Sequence, residues 1–272
     1  MCCLFILISK ERHFLRKTLS FAVSQYVYNK KEKSMNEQHS RTEMLIGTEG
    51  VEKLNKSCVA VFGVGGVGGY AVEALARAGV GEIHLIDSDR VSVSNINRQI
   101  IATHHTVGQY KTEVMRDRIL SINPEAKVVC YSIFFDNDTK CQFNFTKYNY
   151  IIDAIDSLGA KVELICSAKE ANVPIISAMG AGNKLDPTLF EVSDISKTTV
   201  CPLARAVRTM LRKRGINHLK VVYSKESPVV PPEVSDGEKR RVPASISFVP
   251  SVMGLIIAGE VIKDIVEKDV MS

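Results

Sequence analysis

The sequence predicts an α/β protein built on a doubly wound, mostly parallel sheet, with helices on both faces and a C-terminal extension of that sheet. Three observations predict it. Short apolar runs alternate with helical patterns from residue 58 onward, a glycine-rich turn joins the first run to the first of these helices, and strand, turn, helix and strand follow within about 30 residues, the length of a βαβ unit. A crossover of that length makes its two strands parallel. The chain has 272 residues, 45% hydrophobic and 24% charged, enough to bury one substantial core.

Taken in order, "TEMLIGTEGVEKLNK" (42–56) carries apolar residues at helical intervals, interrupted by Gly47 and Gly50, and predicts one or two short helices. "CVAVFG" (58–63) is a continuous apolar strand, "GGYAVEALARAG" (68–79) a helix stopped by Gly79, and "EIHLIDSD" (82–89) a second strand. "GQYKTEVMRDRILSIN" (108–123) predicts an amphipathic helix ended by Pro124. "AKVVCYSI" (126–133), "YIIDAI" (150–155) and "VPIISAM" (173–179) are short apolar strands, the last two separated by a helix over "GAKVELICSAKEAN" (159–172). Beyond 180, "LFEVSDI" is strand-like, "PLARAVRTMLRKRG" (202–215) a basic helix, "LKVVYS" (219–224) a strand and 227–243 a loop of mobile composition. "ASISFVPSVMGLIIAGEVI" (244–262) lacks charge from Ala244 to Gly259, shorter than the roughly 20 residues that cross a bilayer and broken by Pro250, so it is expected to be a buried helix without stable membrane insertion.

Charge and cysteine content bound the partners. A net charge of +5 permits a polyanionic partner without requiring one. Seven cysteines, at 2, 3, 58, 130, 141, 166 and 201, form no Cys-x-x-Cys pair, which makes a structural zinc improbable and predicts reduced thiols in a cytoplasmic protein. The N-terminal "MCCLFILISKERHF" lacks the basic start and small-residue cleavage site of a secretory signal. Residues 1–34 are expected to be a loosely attached extension, or to lie upstream of a native start at Met35.

Gly63, Gly65 and Gly68 in "VFGVGGVGGY" satisfy G-x-G-x-x-G where strand turns into helix, a pattern that brings backbone amides and a helix N-terminus close to phosphate. Asp87, about 20 residues on and at the end of the second strand, stands where a ribose-binding carboxylate belongs. These features leave nicotinamide, flavin and ATP all open. Asn95, Arg98 and Gln99 in "DSDRVSVSNINRQ" (87–99), with Lys111 on the next helix, supply the cationic and amide donors that a triphosphate needs and a dinucleotide does not. Asp153 and Asp156 in "IIDAIDS" lie at the carboxyl end of a strand, where one of them can hold Mg²⁺.

The stretch from "VFGVGGVGGY" to "SNINRQ", with "GQYKTEVMRDRILSINP" and "DAIDS", resembles the ThiF/MoeB/HesA superfamily of ubiquitin-activating-like enzymes, which are Rossmann-like ligases that adenylate carboxylates with ATP and Mg²⁺. "RTEMLIGTEGVEKLNKS", "GAGNKLDPTLFEVSDISKTTVCPLARAVRTMLRKRGI" and "PSVMGLIIAGEVI" are similar to its tRNA threonylcarbamoyladenosine dehydratase branch, over nearly all of 36–267. The resemblance implies that the amides around Gly63, Gly65, Gly66 and Gly68 cradle phosphates and that Asp87 binds ribose. It implies that Arg98 and Lys111 balance triphosphate charge, Asn95 and Gln99 shape the loop, Asp156 ligates Mg²⁺, Asp153 is structural, and Arg41 crosses a homodimer interface to the neighbouring γ-phosphate. For tRNA it points to Arg205, Arg208, Arg212, Lys213 and Arg214, with Lys239, Arg240 and Arg241 in the loop. A cysteine-desulfurase or sulfur-acceptor partner is also implied.

The expected organisation is therefore one adenylating domain over 35–272. Its nucleotide-binding core spans about 57–180, a tRNA-facing part about 181–243 and a closing helix about 244–267. The rival reading is an adenylyltransferase for a ubiquitin-like sulfur-carrier protein, which shares the ATP site; a nicotinamide-dependent oxidoreductase and a catalytically silent nucleotide-binding module are more distant alternatives. Cys201 is expected to be an inert, partly buried thiol, since no base is visible near it.

Overall fold

The computed structural model describes residues 37–229 and 243–267. The extension over 1–34, Met35, and the basic run Lys239, Arg240 and Arg241 lie outside the described residues. The chain divides into two compact units between Thr48 and Glu49.

Helix α1 occupies 37–56, with Gly47 at φ +73° within it, so of the one or two helices expected there is a single run marked by a left-handed glycine. In the second unit, β1 (Cys58–Phe62), α2 (Gly68–Ala78), β2 (Glu82–Ile86), α3 (Lys111–Ile122), β3 (Lys127–Tyr131), β4 (Tyr150–Asp153), α4 (Leu158–Glu170), β5 (Ile175–Ala178), β6 (Phe190–Asp194), α5 (Pro202–Lys213), β7 (Lys220–Ser224) and α6 (Phe248–Glu267) follow in order. The strands form a seven-stranded sheet, β3-β2-β1-β4-β5-β7-β6. Every pairing is parallel except β6 with β7, which is antiparallel and forms the C-terminal extension of the sheet.

The elements form where periodicity puts them. β1, flanked on both sides by parallel strands, is buried at all five positions and is accordingly apolar throughout. Gly79 ends α2 in the left-handed conformation at φ 90°, while Pro202 occupies the first turn of α5, where its missing N–H costs nothing. α3 starts at Lys111 rather than 108 because Gly108 turns at φ +88° and Tyr110 is extended. Glu73 of α2 accepts from Arg77 and from Arg118 of α3 at 2.6–3.0 Å, binding the two helices through one buried carboxylate.

The apolar C-terminal segment becomes α6, which buries Val249, Met253, Ile257 and Val261. A Cβ on Gly254 would lie 2.2 Å from the Val67 carbonyl oxygen, so α6 touches the backbone at the start of α2. No helix among the described residues is long and apolar enough to cross a membrane.

The most demanding interior feature lies at the end of β4. Asp153 and Lys161 are both fully buried and pair at 2.8 Å. Ser177 donates to the same carboxylate oxygen at 2.5 Å, and the ammonium also reaches the Ala178 carbonyl at 3.0 Å. Removing one member strands the other charge in an apolar interior, so Lys161→Met is expected to lower stability by about 3–5 kcal/mol. Denaturant unfolding measures it, and a loss below about 1 kcal/mol would show that the pair does not organise β4 and β5.

Candidate functional site

The strand order reverses direction between β1 and β4, and the crevice outside their carboxyl ends is where an open α/β sheet binds ligands. A cavity of about 710 Å³ opens there. Its walls come from the turn after β1, the ends of β2, β4 and β5, the start of α5 and Pro250 of α6.

The turn after β1 is held in a shape few sequences permit. Gly63 takes φ +90°, and a Cβ on it would lie 2.5 Å from the Ala154 carbonyl oxygen; a Cβ on Gly68 would lie 1.8 Å from the Gly63 oxygen. The strand end, the helix start and the β4 loop are thus in backbone contact. The amides of Gly65, Gly66, Val67 and Gly68 have no acceptor among the described residues. α2 has neither a side-chain cap nor an acid in its first turn. Four free donors at the positive end of a helix dipole make a site for an anion. Gly65 and Gly66 line the cavity, as does Gly63, whereas Gly68 lies behind them and permits the close approach.

Asp87 closes the cavity at the β2 end. Its carboxylate accepts the Val64 amide at 2.7 Å and the Asp89 amide at 2.9 Å, and its side chain is 10% exposed. Burial pushes this carboxyl above the ordinary aspartate value, although Lys111 and the two amides pull the other way. Lys111 is itself buried, with Nζ 2.7 Å from Asp89 and 3.9 Å from Asp87. Ile133, Phe134 and Phe135, which follow β3, supply an apolar wall.

Arg98 lines the cavity and donates through one nitrogen to the Ser94 carbonyl at 3.0 Å and to Asn97 at 2.7 Å. Gln99 is 7% exposed and its Oε1 has no hydrogen-bond partner. A buried orphan oxygen beside the glycine turn fits a site completed by a polar ligand. Asn95 is not in the lining; it caps its own 3₁₀ turn by accepting the Ser92 amide at 3.1 Å, so it shapes the loop that carries Arg98.

The two aspartates after β4 divide their work. Asp153 is consumed by Lys161 and Ser177, as expected of a structural residue. Asp156 lines the cavity, is exposed, and makes no hydrogen bond or ion pair with any described residue, which suits a hard divalent cation. Arg41 lies in the first unit, on α1.

The basic helix is less uniformly available than its sequence implies. Arg208 donates to the Ile195 and Thr198 carbonyls and to the Thr198 hydroxyl, and Arg214 pairs with Glu163 at 2.8 Å. Arg205, Arg212 and Lys213 are exposed and hold no side-chain partner among the described residues.

Sequence reasoning missed Lys184 and the grouping of Cys58, Glu82 and His84, and it expected Cys201 to be only partly buried. Lys184, in the loop after β5, is 5% exposed and lines the cavity. Its signal was position alone, just past the carboxyl end of a strand. Cys201 is 4% exposed and also lines the cavity, as the residue before α5. Cys58, Glu82 and His84 come together at the other end of β1 and β2 with potential ligand atoms within 4.8 Å. Lys147 and Lys127 already hold Glu82, and burial pushes the Cys58 thiol up to about 11, both unfavourable to a metal.

Comparison with known proteins gives three findings. The ThiF family profile matches residues 39–271. A tRNA threonylcarbamoyladenosine dehydratase of Bacillus subtilis is 47% identical over 244 residues, 86% of this chain and 96% of that protein. Crystal structures of Escherichia coli tRNA N6-threonylcarbamoyladenosine dehydratase, in complex with ATP and with AMP, superpose with TM-scores of 0.80 and 0.81 at 34% and 35% identity, covering 88% of this chain and 98% of that one.

The glycine turn gives a sharp expectation. Gly63→Ala combines a left-handed backbone with a Cβ inside the Ala154 oxygen, so it should cost at least about 1–2 kcal/mol and displace the free amides. Thermal unfolding with and without nucleotide measures both effects; unchanged stability together with an unchanged nucleotide response would refute this account of the turn.

Proposed function

The chain belongs to the ThiF family, and on that premise we propose that it is an ATP-dependent tRNA threonylcarbamoyladenosine dehydratase, cyclising the modified adenosine through an acyl-adenylate of its threonyl carboxylate. One observation carries the reading: a single cavity joins a buried ribose-type carboxylate, an uncapped glycine turn and an unpaired aspartate, in a chain aligned with a dehydratase over 96% of that relative. The sulfur-carrier alternative is not favoured by that near-complete alignment.

In this reading Asp87 accepts the ribose hydroxyls and the wall at Ile133–Phe135 covers the base. The amides of Gly65, Gly66, Val67 and Gly68 take the phosphates, with Arg98 and Lys111 opposing their charge and Gln99 completing its hydrogen bonding to the nucleotide. Mg²⁺ held by Asp156 would neutralise polyphosphate charge that builds up in the transition state. The threonyl carboxylate attacks the α-phosphorus, forming an acyl-phosphate bond as the bond to pyrophosphate breaks. The carbamoyl group of the same nucleoside then closes onto the acyl carbon, AMP departs and a proton is lost, so the nucleoside has lost one water. Because ring closure is intramolecular, no enzyme nucleophile is needed, and holding the chain in a near-attack geometry supplies much of the rate.

Arg205, Arg212 and Lys213 are the favoured cations for tRNA phosphates, because Arg208 and Arg214 are committed within the protein. Met44 and Leu45, 83% and 88% exposed on the helix that carries Arg41, support a homodimer in which Arg41 serves the neighbouring subunit. On the family resemblance we also propose a cytoplasmic location and a cysteine-desulfurase or sulfur-acceptor partner.

Incubation with ATP, Mg²⁺ and threonylcarbamoylated tRNA should yield a nucleoside lighter by one water, read by mass spectrometry; competent tRNA left unchanged would sink the reading. Asp156→Ala is expected to abolish AMP formation, and near wild-type turnover would remove Asp156 from the metal role. Because burial raises the Asp87 carboxyl, acidification should protonate it at a higher pH than an ordinary aspartate, weakening ATP binding on the acid side. Calorimetric titration across pH should show that this acid limb disappears in Asp87→Asn, and a limb that persists belongs to another group.

A further inference from the structure

Three lysines are almost wholly buried among the described residues: Lys111, Lys161 and Lys184. Lys161 has Asp153 at 2.8 Å, and Lys111 has Asp89 at 2.7 Å and Asp87 at 3.9 Å. Lys184 has no carboxylate among the described residues. Its Nζ donates only to the Glu226 carbonyl oxygen, at 2.7 Å, leaving two of three ammonium donors unused in a side chain that lines the cavity. A buried ammonium without counter-charge is strongly unfavourable, so its persistence calls for an anion, and no described residue supplies one.

The backbone around Lys184 is fixed. The Glu226 carboxylate accepts the Leu185 and Asp186 amides at 2.9 and 3.0 Å. Asn183, at φ +58°, exchanges hydrogen bonds with Ala244 through its amide N–H and its side-chain oxygen, at 2.8 and 2.7 Å, and its carbonyl accepts the Val229 amide at 2.8 Å. The ammonium is therefore placed in advance, on a loop pinned on both sides.

Position identifies the anion. Along the carboxyl edge of the sheet, β2, β1, β4 and β5 are successive neighbours, and their ends lead into Asp87, the glycine turn, Asp156 and the Lys184 loop. Adjacent strands are about 4.8 Å apart, so the β5 loop begins roughly 10 Å from the glycine turn, on the side away from the ribose. A nucleotide anchored at Asp87 and the turn leaves this end for the group that reacts with it.

We infer that Lys184 binds the threonyl carboxylate of the modified adenosine, holding one oxygen while the other faces the α-phosphorus. The inference rests on the dehydratase reading. It makes Lys184 a determinant of substrate charge: a carboxylate satisfies the buried ammonium, and a neutral amide of the same shape does not.

The test uses the full chain with ATP, Mg²⁺ and threonylcarbamoylated tRNA. Lys184→Gln should raise KM for the modified tRNA at least about 10-fold, with kcat changed less than about threefold and the ATP-induced rise in melting temperature retained. Lys184→Arg should recover most of the loss. As competitors against wild type, the N6-threonylcarbamoyladenosine nucleoside should bind at least about 10-fold more tightly than its threoninamide analogue, and Lys184→Gln should erase that preference. Should the Gln variant misfold, Lys184→Met supplies the same readouts; removing an unpaired charge, it should raise the melting temperature of the free protein. Unchanged KM and competitor preference would overturn the assignment while leaving the dehydratase reading intact. Loss of the ATP response in Lys184→Gln would reassign Lys184 to the polyphosphate and overturn it too. Wild-type protein that binds ATP but dehydrates nothing would overturn the dehydratase reading, and this inference with it.

Discussion

The backbone contact among Gly63, Gly68 and Ala154 is the constraint on which the site depends. With Cβ positions 2.5 Å from Ala154 O and 1.8 Å from Gly63 O, neither glycine admits a side chain without parting the end of β1 from the start of α2 or from the β4 loop. Closing those distances draws three elements to one point at the reversal of the strand order, with the helix N-terminus facing outward and four amides free. α6 then reinforces the arrangement from outside, because Gly254 lets it rest on the Val67 carbonyl. The C-terminal apolar segment thus secures the helix that presents the free amides.

Electrostatic pairing decides which charges are spent on folding and which remain for a ligand. Asp153 and Asp156 are three residues apart with the same chemistry. The first ends a central strand and is enclosed with Lys161; the second lies one loop farther on, exposed and unpaired. The basic residues on and just after α5 separate in the same manner, since Arg208 and Arg214 reach protein acceptors and Arg205, Arg212 and Lys213 reach none among the described residues. A charge becomes available for function when the fold leaves it without a partner, and that depends on neighbours from distant parts of the chain.

This explains what the sequence disclosed. Strand and helix positions were legible because burial enforces periodicity locally, and the glycine motif was legible through the local approach of Gly68 to Gly63, although the Ala154 carbonyl that also excludes a side chain at Gly63 lies far along the chain. Asp87 followed from its fixed distance along one βαβ unit. By contrast, the commitment of Arg208 to Thr198 and the gathering of Cys58, Glu82 and His84 depend on geometry that spacing does not encode. The partners of Arg208 and Arg214 were hidden for the same reason: a run of cations shows the charge a segment carries, but not the carbonyls and carboxylates it meets. Lys184 was overlooked because one lysine in "GAGNK" resembles any loop lysine until its burial is known.

The proposed reaction also has no need of the thiol in this cavity. Cys201 is buried at the start of α5 and lines the space that a nucleotide and an acyl group would share, a place where a thioester-forming residue would be useful. Its sulfur makes no hydrogen bond to a base among the described residues. In the proposed reaction the acyl-adenylate carries its own nucleophile, the carbamoyl group one ring closure away, and an intramolecular attack needs only orientation. A covalent enzyme intermediate would add two steps and separate the acyl carbon from AMP before closure. In that proposal the fold supplies instead a fixed anion path: free amides, opposed cations and an unpaired aspartate along one sheet edge, with the Lys184 ammonium beyond them. In the proposed reaction none of the described residues lining that path needs to form a bond to the substrate.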